Sequence, residues 1–582
     1  MKKFVRVGFC AALMCALQCA ESLAQPRPFQ TTFEASGGDS SATYAQCIAF
    51  YKSLDLAYPS ITVRTMDTTD AGLPLHVALY QKSGVFDTAA WRRKGRMVIL
   101  IINGIHAGEP DGVDASMMFL RDCAAGKIDV PEGIVLAAIP VYNIGGFLNR
   151  GRASRANQDG PAQYGFRGNS QNLDLNRDFT KCDSREARAF ARIFHWLDPH
   201  ILLDTHVSDG ADYQHVMTLL STQYNKLGTA QGALMRNTLD PALYADMAAQ
   251  KLPLIPYVNN WDDHPEQGWT AFYDPPRFAS GYAALWQCLT WVSETHMLKP
   301  FPNRVLATYW LMKSLLKTAA REQATIIAAR NDARRTLAGA PVLPLAWQPD
   351  TTRFSRYWFL GYRAAQKPSE VTGKPRLYYD HSRPFADSIR IYDYYRPTDS
   401  VALPVAYVLP GAWQHVAERL QDNGVTMQRL TRDTTMRLHA YRIAAYETYN
   451  KPYEGHYKHH HVRVTKQRES IVLHTGDWLI PTAQPARRFL AEMLEPQADD
   501  SYFSWNFFDA ILQRKEGYSD YRWEDVAGSL LQSDAALRKA FEDARAGDTA
   551  LQNSAAAQLQ WVYDHSEYLE PEYLRYPVYR VE

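Results

Sequence analysis

The sequence predicts an α/β fold class: a mixed, largely parallel sheet flanked by helices, followed by a smaller β-rich domain and a helical C-terminal segment. Three observations carry that expectation. Short β-branched apolar runs, Met97 to Ile102, Ile134 to Val141 and Ile201 to Leu203, read as buried strands. Helical segments alternate with them, which favours a parallel sheet. Polar residues crowd just past the carboxyl ends of the runs, where such sheets form ligand sites.

The elements follow in chain order. Lys2, Lys3 and Arg6 precede an apolar run from Val7 to Leu17, and Ser22-Leu23-Ala24 supplies small residues for cleavage. Residues 1–24 therefore read as a secretory signal, placing the mature chain in the periplasm or outside the cell. The run is shorter than the ~20 apolar residues of a spanning helix, and no later uncharged stretch reaches that length, so no transmembrane segment is expected. A lipoprotein reading at Cys19 meets Gln18, bulkier than the small residue such processing uses. Residues 43–57 form an amphipathic helix stopped by Tyr58-Pro59. Ser184 caps a helix running to Leu197, with Glu186 in its first turn. One long helical stretch spans 303–338, ending near Gly339, and a linker carrying Pro341, Pro344 and Pro349 follows. From 352 to 480 aromatic and β-branched runs broken by Pro and Gly indicate strands. The tail is helical again. The expected division is a signal at 1–24, a catalytic domain at 25–345, a β-rich domain at 346–482 and a helical region at 483–582.

Composition excludes more than it selects. Over 582 residues, 46% are hydrophobic and 21% charged, as in ordinary globular proteins. A net charge of +1 argues against a nucleic-acid partner held by basic excess. Beyond the signal remain Cys47, Cys123, Cys182 and Cys288, with no CxxC, so a thiolate zinc site is not expected and buried free thiols are.

The chemistry gathers at the strand ends. The first run leads into Asn103-Gly-Ile-His106-Ala-Gly-Glu109-Pro110. Pro110 biases Glu109 away from helical angles, so His106 and Glu109 sit on a loop. A further run ends at Asp204-Thr205-His206, bringing a second imidazole to the same rim. Two histidines and one glutamate leave a fourth position for water, the pattern of a catalytic zinc, one Zn2+ per chain. Between them, Asn176 and Arg177 in Leu173-Asp-Leu-Asn176-Arg177-Asp-Phe179 pair an amide with a guanidinium, a receptor for a substrate carboxylate. Downstream, Trp291-Val-Ser-Glu294-Thr-His296 ends an apolar stretch with an acid suited to act as general base beside a zinc-bound water.

These motifs, with Asn143-Ile-Gly-Gly-Phe147, resemble in content and order the zinc carboxypeptidases of the carboxypeptidase A type, in a large secreted bacterial form. They span about 190 residues; the rest of the chain is similar only to extra domains of large members. The resemblance implies His106, Glu109 and His206 as zinc ligands, Glu294 as general base, and Asn176 and Arg177 as holders of the terminal carboxylate. It implies Asp174 as the carboxylate orienting the first histidine. An arginine that polarises the scissile carbonyl is assigned to Arg167, with Arg155 competing, while the family's mobile tyrosine has no clear counterpart, Tyr273 and Tyr282 both being candidates. The Glu109-to-His206 spacing looks shorter than in digestive members, nearer to branches that remove acyl groups. The expected activity is thus a metallocarboxypeptidase acting on a peptide with a free carboxylate. The alternative is a zinc amidohydrolase or deacylase acting on N-acyl amino acids or cell-wall peptides. An inactive peptide- or glycan-binding domain is disfavoured because all four key residues are present. Serine hydrolysis and helical zincin chemistry lack their Gly-x-Ser-x-Gly and His-Glu-x-x-His motifs.

Other features have plainer readings. His459-His460-His461 reads as a polar strand or loop before a metal site, and Asp209 and Asp212 as residues of the site entrance or turn caps. The aromatic run Tyr502 to Phe508 is expected to pack against the main domain.

Overall fold

The structure, a computed structural model, describes residues 29–259 and 264–582. The signal expected at 1–24 lies outside the described residues. The main sheet contains β1 (Ile61–Thr68), β2 (Pro74–Tyr80), β3 (Met97–Asn103), β4 (Ile134–Ile139), β5 (Ile201–Ser208) and β6 (Met217–Ser221). After β7 (Trp269–Thr270), which lies outside it, β8 (Leu289–His296) completes the sheet in the order β1-β2-β4-β3-β5-β8-β6. The central strands β4, β3, β5 and β8 run parallel, and antiparallel pairs close both edges. Every residue of β3, β4 and β5 is buried, as a sheet covered on both faces requires. The α/β expectation is met.

Local signals place the flanking helices. Thr43 and Gln46 form a reciprocal cap on Tyr44–Ala57. The Ser184 hydroxyl accepts the Ala187 N–H at 3.0 Å and starts Arg185–Leu197. The stretch expected as one helix is two, Phe301–Arg321 and Gln323–Gly339, parted at Glu322 (φ −101°, ψ 13°). From the second, buried Arg330 reaches Asp198 at 2.7 Å, a tertiary contact that helical periodicity does not encode.

The expected proline-bearing linker is instead a strand, β9 (Val342–Pro349). The hairpin β10 (Ser355–Pro368) and β11 (Pro375–Tyr392) follows, then β12 (Tyr395–Ala402), which pairs with β9 in a two-stranded sheet. Such a sheet is all edge, the place where strands tolerate proline. β11 also pairs in parallel with β7, so a strand pairing joins the β-rich segment to the region before it. A six-stranded sheet contains β13 (Ala406–Leu409), β14 (Gln428–Arg429), β15 (Thr434–Thr448), β16 (His459–Leu473), β17 (Trp478–Pro481) and β18 (Tyr579–Val581). The tail expected to be helical supplies β18, which lies between β13 and β15. Its helices Asp520–Ser533, Ala535–Gly547 and Ala555–Asp564 close around Trp523 and Phe541. Tyr502, Phe503, Trp505 and Phe508 are buried, and all four described cysteines are buried free thiols. Among the described residues no helix is long and apolar enough to cross a membrane.

One close approach sets the position of the site. The helix Asp111–Ala124 starts directly after Pro110, and its Gly112 lies against Thr205 of β5. A Cβ on Gly112 would fall 1.9 Å from Thr205 Oγ1, while Thr205 itself donates towards the carbonyl of Ile102 at 3.0 Å. Gly112→Ala is therefore expected to destabilise the fold by at least about 1–3 kcal/mol, read as a lower unfolding midpoint. An unchanged midpoint would show that the helix shifts freely.

Candidate metal centre and substrate cavity

Gly104, at φ +66°, turns the chain off the end of β3; a side chain there would meet the Phe147 ring at 2.6 Å. The loop closes with Glu109 N–H donating to His106 O at 2.9 Å, which puts both side chains at the rim of β5. His206 and Glu294 were expected at the ends of their apolar runs. They lie inside β5 and β8 instead, because the sheet continues beyond the rim and β6 pairs with β8 opposite Glu294. The two are register partners on adjacent parallel strands, so their side chains share one face. Asp204, two residues before His206, faces the same way, and Thr205 faces the opposite one.

The donor atoms of His106, Glu109 and His206 converge. His106 Nδ1 and His206 Nδ1 are 3.1 Å apart, and each is 3.1 Å from an oxygen of Glu109. Outward, His106 Nε2 meets Asp174 Oδ1 at 3.0 Å and His206 Nε2 meets Asp204 Oδ2 at 2.8 Å. An ionised carboxylate only accepts, so each Nε2 carries a proton and each Nδ1 is the ring nitrogen turned inward. Two imidazole nitrogens and a carboxylate facing one point form a donor set for a cation. Tetrahedral bonds of ~2.0–2.1 Å place donors ~3.3 Å apart, close to the separations seen. The residues fit a zinc-sized ion. Glu109 is further held by Val207 N–H at 2.8 Å and Arg155 Nη1 at 3.0 Å. Burial raises its carboxyl, but the charges of His106 and Arg155 and the histidine hydrogen bonds hold it well below the usual carboxylate range.

Asp204 was read only as part of a motif, yet it orients His206 as Asp174 orients His106. Asp204→Asn replaces the anionic acceptor that fixes the His206 tautomer with a neutral amide and should weaken metal binding by about 10–100-fold. Competition with a chelator measures it; undiminished affinity would reject the orienting role.

These donors open on a cavity of about 400 Å³ that Arg155, Arg167, Asn176, Arg177 and Glu294 also line. Burial against its wall pushes the Glu294 carboxyl up to about 8, with His206 opposing and Glu109 and Asp204 adding. Arg167 Nη2 pairs with Asp174 Oδ2 at 2.9 Å, and its Nη1 lies 3.3 Å from His106 Nδ1. Its backbone is fixed from Asn143, whose Nδ2 donates to Arg167 O at 2.8 Å. Arg155 is tied down by Glu109, Gln158 and the Val207 carbonyl. Of the two arginines, Arg167 is the more open. Asn176 Oδ1 accepts the Ala279 N–H at 3.4 Å, and the Arg177 guanidinium lies 4.2 Å over the Phe278 ring.

The tyrosine candidates are corrected. Tyr282 is buried in the aromatic core and donates to Asn423 at 2.7 Å, and Tyr273 lies under Lys226; neither lines the cavity. Tyr257 does, and burial with the charges of Glu294 and Glu109 raises its phenol. Beyond a neighbouring proline, nothing in the sequence marks it. Asp209 lines the cavity and accepts from Asn157 at 2.9 Å, while Asp212 pairs with Lys299. His459 starts β16 and contacts Asp509; His460 and His461 approach Glu447 on an exposed edge.

Together, fold and donor set define an α/β protein with a candidate metal centre beside a carboxylate and a cationic pocket. No protein-family model matches the chain. Among curated proteins, Carboxypeptidase 2 of Trichophyton rubrum is 21% identical over 443 residues, covering 70% of this chain and 74% of that protein. Carboxypeptidase 2 of Trichophyton equinum is 22% identical over 437 residues with the same coverage. Among solved structures, a metallo-carboxypeptidase from Burkholderia cenocepacia aligns at 14% identity and TM-score 0.36, over 48% of this chain and 70% of that one. The carboxypeptidase A of Helicoverpa armigera aligns at 15% identity and TM-score 0.37, over 55% and 80%. Both of these curated proteins carry the name carboxypeptidase.

Proposed function

We propose that the chain is a secreted, zinc-dependent metallocarboxypeptidase that hydrolyses the C-terminal peptide bond of its substrate. One observation carries the reading: three converging donors, each imidazole backed by a carboxylate, share a cavity with Glu294 and with the Asn176–Arg177 pair. His106, Glu109 and His206 would hold the ion. Zinc bound there supplies Lewis acidity, lowering the pKa of a water and polarising a carbonyl. Glu294 takes the proton of the attacking water and passes it to the leaving amine. Arg167 donates to the scissile carbonyl oxygen as negative charge develops on it. Asn176 and Arg177 bind the terminal carboxylate and so select the last peptide bond. The names of the curated relatives point to the same activity. The basic, apolar and small-residue order of residues 1–24 supports export to the periplasm or beyond. The site falls within the proposed domain 25–345, with 346–482 and 483–582 as accessory regions.

A panel of peptides varied only at the last residue, assayed with and without chelator, tests the reading. Release of a single C-terminal residue, abolished by chelator and restored by zinc, is expected. Chelator-insensitive release or internal cleavage would overturn it.

A further inference from the structure

The loop joining β15 to β16 reaches back to the proposed carboxylate pocket from the opposite end of the sequence. It reverses at Glu454-Gly455, both at positive φ (49° and 81°), with Tyr453 N–H donating to His456 O at 2.7 Å and His456 N–H to Tyr453 O at 3.1 Å. Paired left-handed residues are the geometry of a tight hairpin tip. Two residues of that tip engage the 174–177 segment. Glu454 Oε2 accepts the Asp174 N–H at 2.7 Å, and Tyr453 Oη accepts from Arg177 Nε at 3.0 Å.

The tip is itself anchored. The Tyr453 ring stacks on buried Trp505, centroids 5.9 Å apart and planes 15° apart, and His456 Nε2 meets Asp183 Oδ2 at 2.7 Å. Arg177 is thereby held at three points: Nε on Tyr453, Nη1 on the Asn176 carbonyl at 2.9 Å, and the flat face on Phe278. Among the described residues Nη2 donates to no protein acceptor. A fork fixed at its other nitrogens is pre-organised to meet a carboxylate, since little further side-chain entropy is lost on binding.

We infer that the accessory β-rich segment completes the substrate-carboxylate pocket, with Tyr453 as the positioning residue that aims Arg177. Tyr453 does not line the cavity and acts through the arginine. The inference rests on the proposed function, because it assigns Arg177 a carboxylate to bind.

The test uses the full, zinc-loaded chain and the peptide cleaved fastest in the panel above, as free acid and as C-terminal amide. kcat and KM are measured for wild type, Tyr453→Phe, Arg177→Ala and the double variant. Tyr453→Phe keeps the stacked ring and removes only the acceptor. It is expected to lower the acid-over-amide ratio of kcat/KM about tenfold, mainly through KM for the acid. In the Arg177→Ala background the same change should add less than about twofold, because the two residues act as one unit. A loss shared equally by acid and amide, or one that persists without Arg177, would overturn the inference by making Tyr453 merely structural. If Arg177→Ala lowers the ratio while Tyr453→Phe does not, the positioning role alone falls. If Arg177→Ala leaves the ratio unchanged, the carboxylate assignment falls and the inference with it.

Discussion

Glu294→Gln should lower kcat at least ~100-fold while leaving the bound metal in place. Glutamine keeps the shape and removes the proton acceptor. Glu294 lines the cavity as the register partner of His206 across β5 and β8, but it lies outside the converging donor set. His206→Ala supplies the opposite pattern. Deleting one of three donors leaves two protein ligands, which hold zinc weakly, so metal and activity should be lost together. Elemental analysis beside steady-state kinetics separates the two. Activity of Glu294→Gln within a few-fold of wild type, or loss of its zinc, would remove Glu294 from the role of base. Stoichiometric zinc on His206→Ala would remove that residue from the ligand set.

Amidating the substrate's C-terminus should cost about 2–4 kcal/mol, roughly 30- to 1,000-fold in kcat/KM. The amide cannot reproduce the charge-assisted hydrogen bonds of a carboxylate, and the Arg177 guanidinium, stacked over Phe278 and partly buried, is left without its anion. Arg177→Ala should depress cleavage of the free acid and narrow its advantage over the amide. The four rate constants form a cycle whose interaction energy isolates the pairing. Equal cleavage of acid and amide by wild type would reject the exopeptidase reading and favour an endopeptidase or deacylase at the same centre.

The parallel sheet was legible because burial on both faces demands continuous apolar runs, and Met97 to Ile102 and Ile134 to Ile139 are such runs. The helix starts at Thr43 and Ser184 were legible because capping is a local hydrogen bond. Edges were less so. β9 carries prolines that read as a linker, and only pairing with β12, nearly fifty residues on, makes it a strand. β18 depends on the remote β13 and β15 in the same way.

The site divides along the same line. By itself, the sequence determined which side chains could do the chemistry: His106, Glu109 and His206 as donors, Glu294 as an acid, Asn176 and Arg177 as an anion receptor. Their residue types and their places at strand ends suffice for that, since imidazole, carboxylate and guanidinium chemistry belongs to the side chain alone. Tertiary structure decided what surrounds them. Asp204 faces His206, Tyr257 enters the cavity, Tyr282 leaves it for the core, and Tyr453 meets Arg177 across 276 positions of chain. The physical reason is range. A cap or an apolar period acts over a few residues and is written locally, whereas an orienting hydrogen bond needs two atoms brought within about 3 Å by packing, whatever their separation along the chain.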